Sequence, residues 1–282
     1  MPYIAKPEDR VALIDADSMI YIIAWNHREM SYDEIAVQSV CNSFDSLFNA
    51  ITDAVKATHY AGFFSCPSSE CFRKEVYRVG VYKGGRTTPE WVELWKPVII
   101  DYATTKYKFA MYPALEADDA LGLYAAELNS YIICSPDKDL NQIPGEHFSY
   151  KEVNSSINTV VVSPKEADKF FWKQMLMGDD TDGVIGIPKV GEVSAEKILA
   201  GSVFCDSEED SNLWYRVAVK EAYVQHYGKY YGPIIFEETY QALHTVSKTQ
   251  IEGNPIELQL TCLGDVYPVK LPDKDLELLG WN

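Results

Sequence analysis

The stretch VALIDADS, residues 11–18, is a short apolar run that ends in acidic residues. Such a run, bounded by polar residues, is typical of a buried strand, and Asp15 falls at its carboxyl end. YAGFFS (60–65) and YIICS (131–135) have the same apolar character. We therefore predict three buried strands, the first with a carboxylate at its end.

Helical patterns separate these runs. Apolar spacing predicts a long amphipathic helix within residues 33–59, and a second helix over 89–103 with a break or kink at Pro97. Further patterns predict a strand over 106–112 and helices over 116–128 and 164–177. This alternation favours an α/β fold with a mostly parallel central sheet covered by helices on both faces.

Strand patterns fade after residue 177, and the rest of the chain has the character of helices joined by loops. We predict an α/β core over residues 1–163 and a helical region over 164–282. The two parts can pack as one domain.

Composition is that of a globular protein, with 47% hydrophobic and 24% charged residues among 282. No apolar run approaches the roughly 18 residues that suggest a membrane span, so we expect a soluble, cytoplasmic protein without a membrane partner. The six cysteines are scattered, which favours reduced thiols. The net charge of −17 argues, by itself, against a nucleic-acid partner.

Carboxylates recur at four places where strands end or helices begin. The carboxyl ends of parallel strands share one edge of a sheet, so these groups can converge in a negative pocket. Hard divalent cations relieve such repulsion, and an all-oxygen site suits Mg²⁺ or Mn²⁺. Taken singly, each acid is explained as well by a helix cap or a solvated turn. The residues are Asp15 and Asp17; Glu116, Asp118 and Asp119; Asp137 and Asp139; Asp179 and Asp182.

Two stretches could bind phosphate. YKGGR (82–86) places a lysine and an arginine on a glycine-rich backbone, although this stretch taken alone favours an exposed basic turn. The turn Gly186–Gly191 ahead of a helix resembles a helix-hairpin-helix, whose backbone N–H groups hold phosphate, often with a monovalent cation. An ordinary corner between helices is the alternative. Motifs for serine or cysteine nucleophiles are absent from the sequence.

Five motifs taken in order resemble the 5′ nuclease superfamily, which includes flap endonucleases and bacteriophage-type 5′→3′ exonucleases. The resemblance runs from about residue 11 to about residue 200. It implies a nuclease core of this family and metal-dependent hydrolysis at DNA 5′ ends or flaps by two divalent ions. The motifs are LIDADS, FRKEVYRVGVYKGGR, EADDALG, SPDKDL and GDDTDGVIGIPKVG.

The same resemblance assigns roles to residues. Lys83 and Arg86 correspond to a basic pair that contacts the scissile phosphate, and a K⁺ ion is expected at the hairpin. The metal-binding acids are Asp15, Glu116, Asp118, Asp119, Asp137, Asp139, Asp179 and Asp182. The nucleic-acid-binding residues are Tyr82, Gly186, Ile187, Lys189, Val190 and Gly191.

The sequence departs from the family at two positions. Cys66 stands where the family usually has a metal-site aspartate, and Lys189 stands where the hairpin commonly has glycine. The short segment between Arg86 and Glu116 has room for a helix and a strand but not for a long arch, which favours an exonuclease over a flap-threading enzyme. The expected partner is DNA with a 5′ end, nick, gap or flap. A ribonuclease acting on RNA:DNA hybrids and a non-catalytic DNA-binding subunit remain alternatives.

Overall fold

A computed structural model describes residues 9–152, 159–201, 207–246 and 266–269. The strands are β1 (Val11–Asp15), β2 (His59–Phe64), β3 (Ala110–Met111), β4 (Tyr131–Cys134), β5 (Gly145–Phe148), β6 (Thr159–Val162), β7 (Gly178–Asp179), β8 (Val184–Ile185) and β9 (Tyr267–Pro268). The helices are α1 (Ala16–Asn26), α2 (Glu34–Ala54), α3 (Arg73–Val76), α4 (Glu90–Tyr107), α5 (Ala117–Ala125), α6 (Pro164–Met177), α7 (Glu192–Leu199) and α8 (Glu208–Leu243). Short 3-10 helices follow β4 (Lys138–Gln142) and β5 (Tyr150–Glu152).

The central sheet has the order β3-β2-β1-β4-β5-β6, with β9 pairing β2 from off this path. Strands β1 to β5 are joined by parallel pairs, whereas β6 and β9 pair antiparallel. Because β1 lies between β2 and β4, their carboxyl ends form one edge of the sheet. The prediction of a mostly parallel sheet is confirmed.

Alternate residues of β1 pack against different layers, since successive side chains of a strand point to opposite faces. Ala12 and Ile14 belong to a core with residues of α1, α2 and α4. Val11 and Leu13 belong to a second core with residues of α5. Helices therefore cover both faces, as predicted.

The helical part of the chain has its own apolar cluster, which joins α6, α7 and α8 to Tyr77 and Tyr82. Helix α8 is interrupted at Gly228, whose φ of 85° is outside the helical region. The domain boundary at residue 163 stays a prediction. No helix in the described ranges is both long and apolar enough to cross a membrane.

Two local predictions were wrong. Residues 106–112 are mostly not strand, because α4 continues to Tyr107 and ends at Lys108 in a left-handed conformation with φ of 57°. The helix also continues through the exposed Pro97, where a break was expected. Helix α1 was not predicted, since Asp15 both ends β1 and caps α1, leaving no turn between them.

Candidate active site

A cavity of about 540 Å³ opens at the edge where the parallel strands end. Three basic side chains line it, those of Lys83, Arg86 and Lys96. Tyr82 and Cys66 line it as well. Its acidic lining comes from the ends of β1 and β4, the start of α5 and the turn after β7. The lining carboxylates are those of Asp15, Asp17, Glu116, Asp118, Asp137, Asp139 and Asp182.

The first acids are fixed by the β1–α1 junction. Asp15 caps α1 by accepting from the backbone N–H of Asp17 at 3.0 Å, and it accepts from the hydroxyls of Ser18 at 2.9 Å and Ser135 at 2.7 Å. Asp17 accepts from the backbone N–H of Ser65 at the end of β2. Burial, together with the charge of Asp17, raises the pKa of Asp15 to about 6.

The acids from β4 and α5 face the same space. Burial and the charges of Asp15 and Asp137 raise the pKa of Asp118 well above its ordinary value. Burial and Asp137 raise the pKa of Asp139 to about 6, although Gln174 donates to its Oδ1 at 2.8 Å. Burial is the main cause of these raised pKa values, and the neighbouring carboxylates add to it.

The basic loop contacts the acids from the opposite side. Lys83 Nζ donates to Glu116 and lies 3.6 Å from Asp182 Oδ2, while Arg86 Nη2 donates to Asp182 Oδ1 at 2.5 Å. Although burial opposes ionisation, Arg73 and Lys83 hold the pKa of Glu116 at about 2. Arg86 is half exposed, so its guanidinium can reach a ligand in the cavity.

Arg73, which the sequence analysis did not single out, joins three parts of the site. Its guanidinium pairs with both oxygens of Asp119, at 2.6 and 2.7 Å, and with Glu116 at 3.1 Å. It also donates to the carbonyl of Ala242, at the C-terminal end of α8, and to that of His244, just after this end. A buried arginine can be recognised only once its partners are known, because sequence gives no sign of its burial.

Three of the predicted side chains have other surroundings than expected. Asp119 is fully buried against Arg73 and does not line the cavity, and its role as a metal ligand stays a prediction. Asp179 also lies outside the lining and accepts from the backbone N–H groups of Thr181 and Asp182, which shapes their turn. Tyr82 is buried, with its hydroxyl 2.7 Å from Glu116 and 3.0 Å from Asp182, so its ring is not available to a base.

The donor set fits a hard divalent cation. It consists of carboxylates, and burial has raised the pKa of several of them, which a bound cation would reverse. Within the described residues, no three acidic, histidine or cysteine side chains already enclose a metal position. On one side of the cavity, Glu116 and Asp182 are paired with Lys83 and Arg86.

Cys66, which stands where the family usually has a metal-site aspartate, lies in the cavity wall. It is a buried free thiol that shares a hydrogen bond with the thiol of Cys71. That hydrogen bond and burial raise the pKa of the Cys66 thiol. The other described cysteines, Cys41 and Cys134, are also free.

The turn Gly186–Gly191, which was predicted to bind phosphate as part of a helix-hairpin-helix, leads into α7. Gly186 and Ile187 are buried, and the Ile187 N–H donates to the carbonyl of Leu176, whereas Lys189 and Gly191 are exposed. Gly191 precedes the first turn of α7, and a side chain there would meet no atom within 4 Å. Lys189 has a φ of 67°, a conformation that favours the glycine usual in the family.

Two of the three lysines of α6 form ion pairs with α7. Lys169 pairs with Glu196 at 2.6 Å, and Lys173 contacts both Glu192 and Glu196 on α7. These ion pairs join α6 to α7.

Residues 10–171 match the family described as 5'-3' exonuclease, N-terminal resolvase-like domain. The chain is 27% identical to DNA polymerase I of Bacillus caldotenax over 208 residues, which are 67% of this chain and 23% of the polymerase. It is 29% identical to a 5'-3' exonuclease of Buchnera aphidicola over 135 residues, 44% of this chain and 46% of that protein. The chain thus spans less than a quarter of the length of this polymerase.

The fold resembles that of T5 5'-exonuclease in a structure with bound zinc ions. The TM-score is 0.52, at 14% identity, and the alignment covers 84% of this chain and 99% of the other. The sequence match, the sheet topology and the order of the acidic motifs therefore all fit one family of proteins. The match of more than half of the sequence establishes that the chain belongs to the family of 5'-3' exonucleases, through its N-terminal resolvase-like domain.

Proposed function

We propose that this chain is a divalent-metal-dependent 5′→3′ exonuclease that hydrolyses phosphodiester bonds at DNA 5′ ends. The observation that carries the proposal is the cavity in which strand-end carboxylates face Lys83 and Arg86. Family membership supports the reaction, and the zinc bound to T5 5'-exonuclease supports the use of divalent ions.

Six of the predicted acids, together with Asp17, would hold two Mg²⁺ or Mn²⁺ ions. Divalent ions in this place would activate the attacking water and stabilise the negative charge that develops on the phosphodiester. Asp179 would keep the turn that carries Asp182 in place, and Asp119 would fix α5 through Arg73. The proposed ligands are Asp15, Asp17, Glu116, Asp118, Asp137, Asp139 and Asp182.

Lys83 and Arg86 would bind the scissile phosphate. In the free protein they pair with Glu116 and Asp182, and metal ions on those acids would release both cations to the phosphate. A guanidinium can then hold two phosphoryl oxygens and stabilise their charge in the transition state. The exposed turn at Lys189 and Gly191, with a K⁺ ion, would hold a second phosphate of the duplex by its backbone.

The segment between Arg86 and Glu116 supports an exonuclease rather than a flap-threading enzyme. Most of it is α4, whose Val92, Trp95 and Ile99 are buried in the main core. A helix held in this way leaves no long arch over the cavity. A DNA 5′ end or nick is therefore the proposed substrate, with the RNA strand of a hybrid as a further one.

A cleavage assay tests the proposal. Blunt, nicked and flap DNA duplexes and an RNA:DNA hybrid, each labelled at the 5′ end, are incubated with magnesium or with chelator. We expect short 5′-labelled products from blunt and nicked DNA with magnesium and none with chelator. Absence of cleavage on every substrate, or equal cleavage in chelator, would contradict the proposal.

A further inference from the structure

Aromatic rings cluster on α1 and α4, two of them exposed and the third, Trp91, partly buried. Tyr21 and Trp25 lie one turn apart on α1 and are 49% and 52% exposed. Trp91 of α4 contacts both, with its ring centroid 6.4 Å from that of Tyr21 and 5.5 Å from that of Trp25. Indole rings are usually covered, so an exposed tryptophan in a cluster of this kind indicates a binding surface.

The cluster is continuous with the cavity. Tyr21 lines the cavity from α1, and Lys96 lines it from α4. From Tyr21 the rings continue along α1 to Trp25, and Arg28 follows with its guanidinium carbon 4.1 Å from the centre of the Trp25 ring. A strand that enters the cavity can therefore extend over these rings.

The helices that carry the rings are held firmly in the free protein. The buried Trp95 of α4 donates its indole N–H to the carbonyl of His27, at the end of α1, and Tyr32 stacks on Trp95 at 5.7 Å. Arg28 donates to the carbonyl of Trp25 at 2.8 Å. A rigid aromatic surface loses little conformational entropy when a ligand stacks on it.

Charge selects the kind of ligand. The exposed Glu29, Glu90 and Glu93 flank the rings in the sequence, and the Arg28 guanidinium that lies over Trp25 is itself 3.5 Å from Glu29 Oε1. Acidic flanks disfavour a surface that grips phosphates, but they do not oppose the uncharged faces of nucleobases, which stack on aromatic rings regardless of sequence. We propose, resting on the proposed function, that Trp25 and Trp91, with Arg28, bind unpaired bases of a 5′ overhang on the strand that is cut.

Binding measurements with calcium in place of magnesium test this site. Fluorescence anisotropy compares a blunt duplex with duplexes carrying 5′ overhangs, 3′ overhangs or abasic 5′ overhangs. We expect a 5′ overhang with bases to tighten binding by about tenfold, as one stacked base does, and an abasic or 3′ overhang to give no such gain. Because stacking releases few counterions, the gain should change little with salt.

Variants assign the gain to the rings. Trp25→Ala and Trp91→Ala should each abolish most of the gain, whereas Trp25→Phe should retain most of it. Tyr230→Ala, which removes a ring that is 87% exposed on α8, is the matched control and should retain all of it. Melting temperatures of all variants check that they are folded.

The site is disproved if both alanine variants keep the overhang gain, or if the abasic overhang binds as tightly as the normal one. An aromatic surface for a protein partner would give that result. Cleavage of the blunt duplex with magnesium is measured beside it and should stay normal in the Trp25 variants. If the wild-type protein shows the overhang gain but cleaves no substrate, the result contradicts the proposed function and not the aromatic site. Overhang binding is measured separately from cleavage.

Discussion

Asp118 and Asp119 are neighbours with opposite surroundings. Asp118 lines the cavity, while Asp119 is buried in a two-oxygen pair with Arg73 and also accepts from the Val246 N–H. We predict that Asp119→Asn lowers the free energy of unfolding by about 3–5 kcal/mol, because the buried guanidinium loses its two-oxygen charge partner and keeps only Glu116. Urea unfolding in chelator measures this. Asp118→Asn is the control and should not be destabilised; equal stabilities of the two variants would refute the assignment.

The raised carboxyl pKa values predict a pH dependence of stability. Asp15 and Asp139 titrate near 6 in the folded protein, against an ordinary 3.8. Between these values the folded state binds more protons than the unfolded chain, so stability falls as the pH rises through the window. Glu116, with a pKa of about 2, stays ionised throughout. The melting temperature in chelator should therefore fall from about pH 4.5 to about pH 6.5.

The variant Asp139→Asn checks the origin of that slope, since it removes one of the cavity carboxyls whose pKa is raised. Its melting temperature should depend less on pH than that of the wild-type protein. A divalent cation should also reduce the slope, because it favours the ionised carboxylates. An unaltered slope in Asp139→Asn would show that other groups cause the pH dependence.

Cys66 allows a test of the departure from the family pattern. Its thiol is a poor ligand for magnesium, and its side chain is buried in the cavity wall. We predict that Cys66→Asp lowers the magnesium concentration for half-maximal cleavage and lowers the melting temperature in chelator, because it adds a carboxylate to a crowded site. Cys66→Ser is the control. If the magnesium titrations of all three proteins coincide, residue 66 does not contribute to metal binding.

At this scale the sequence predicts which acids lie at strand ends, but not which way they face. Asp15, Asp118 and Asp137 line the cavity as expected because strand ends of a parallel sheet meet. Asp119 does not, since one position along α5 turns its side chain toward Arg73. Such a pairing depends on distant residues, as does the burial of Tyr82 between Glu116 and Asp182.

Among the elements, the turn between α6 and α7 separates structural from functional glycines. A Cβ on Gly186 would lie 2.3 Å from the Gly178 nitrogen, whereas one on Gly191 would meet nothing within 4 Å. We predict that Gly186→Ala lowers the free energy of unfolding by about 1–3 kcal/mol through overpacking. Gly191→Ala should cost less than about 1 kcal/mol and should weaken DNA binding if the turn holds phosphate. Unchanged DNA affinity in Gly191→Ala would argue against a phosphate site there.

The elements with clear periodicity were predictable, and those defined by tertiary contacts were not. Helix α6 begins and ends as predicted because Pro164 and the Ser163–Glu166 capping box mark its start. The end of α4 was predicted as a strand because its aromatic residues also fit a strand pattern. Tyr107, for example, packs on Phe44 and Phe48. Strands β5 and β6 were not predicted, because they are defined by pairing. Strand β5 pairs with β4, and β6 pairs with β5.

For the whole molecule, the net charge of −17 seemed to oppose a nucleic-acid partner. Seven of the acidic side chains line one cavity, where bound divalent ions would offset their charge. Two of the three α6 lysines, Lys169 and Lys173, are paired with glutamates of α7. DNA binding by this chain is therefore expected to depend on metal ions and on Lys83, Arg86 and the α7 turn.

The central claim is that the cavity carboxylates perform metal-dependent cleavage, and Asp118→Asn tests it most directly. Single-turnover cleavage of 5′-labelled duplex DNA is measured with saturating magnesium for the wild-type protein and for this variant, beside a melt of each in chelator. We expect Asp118→Asn to be folded, at least as stable as the wild-type protein, and slower in cleavage by at least about a hundredfold. Cleavage by folded Asp118→Asn at the wild-type rate would contradict the central claim.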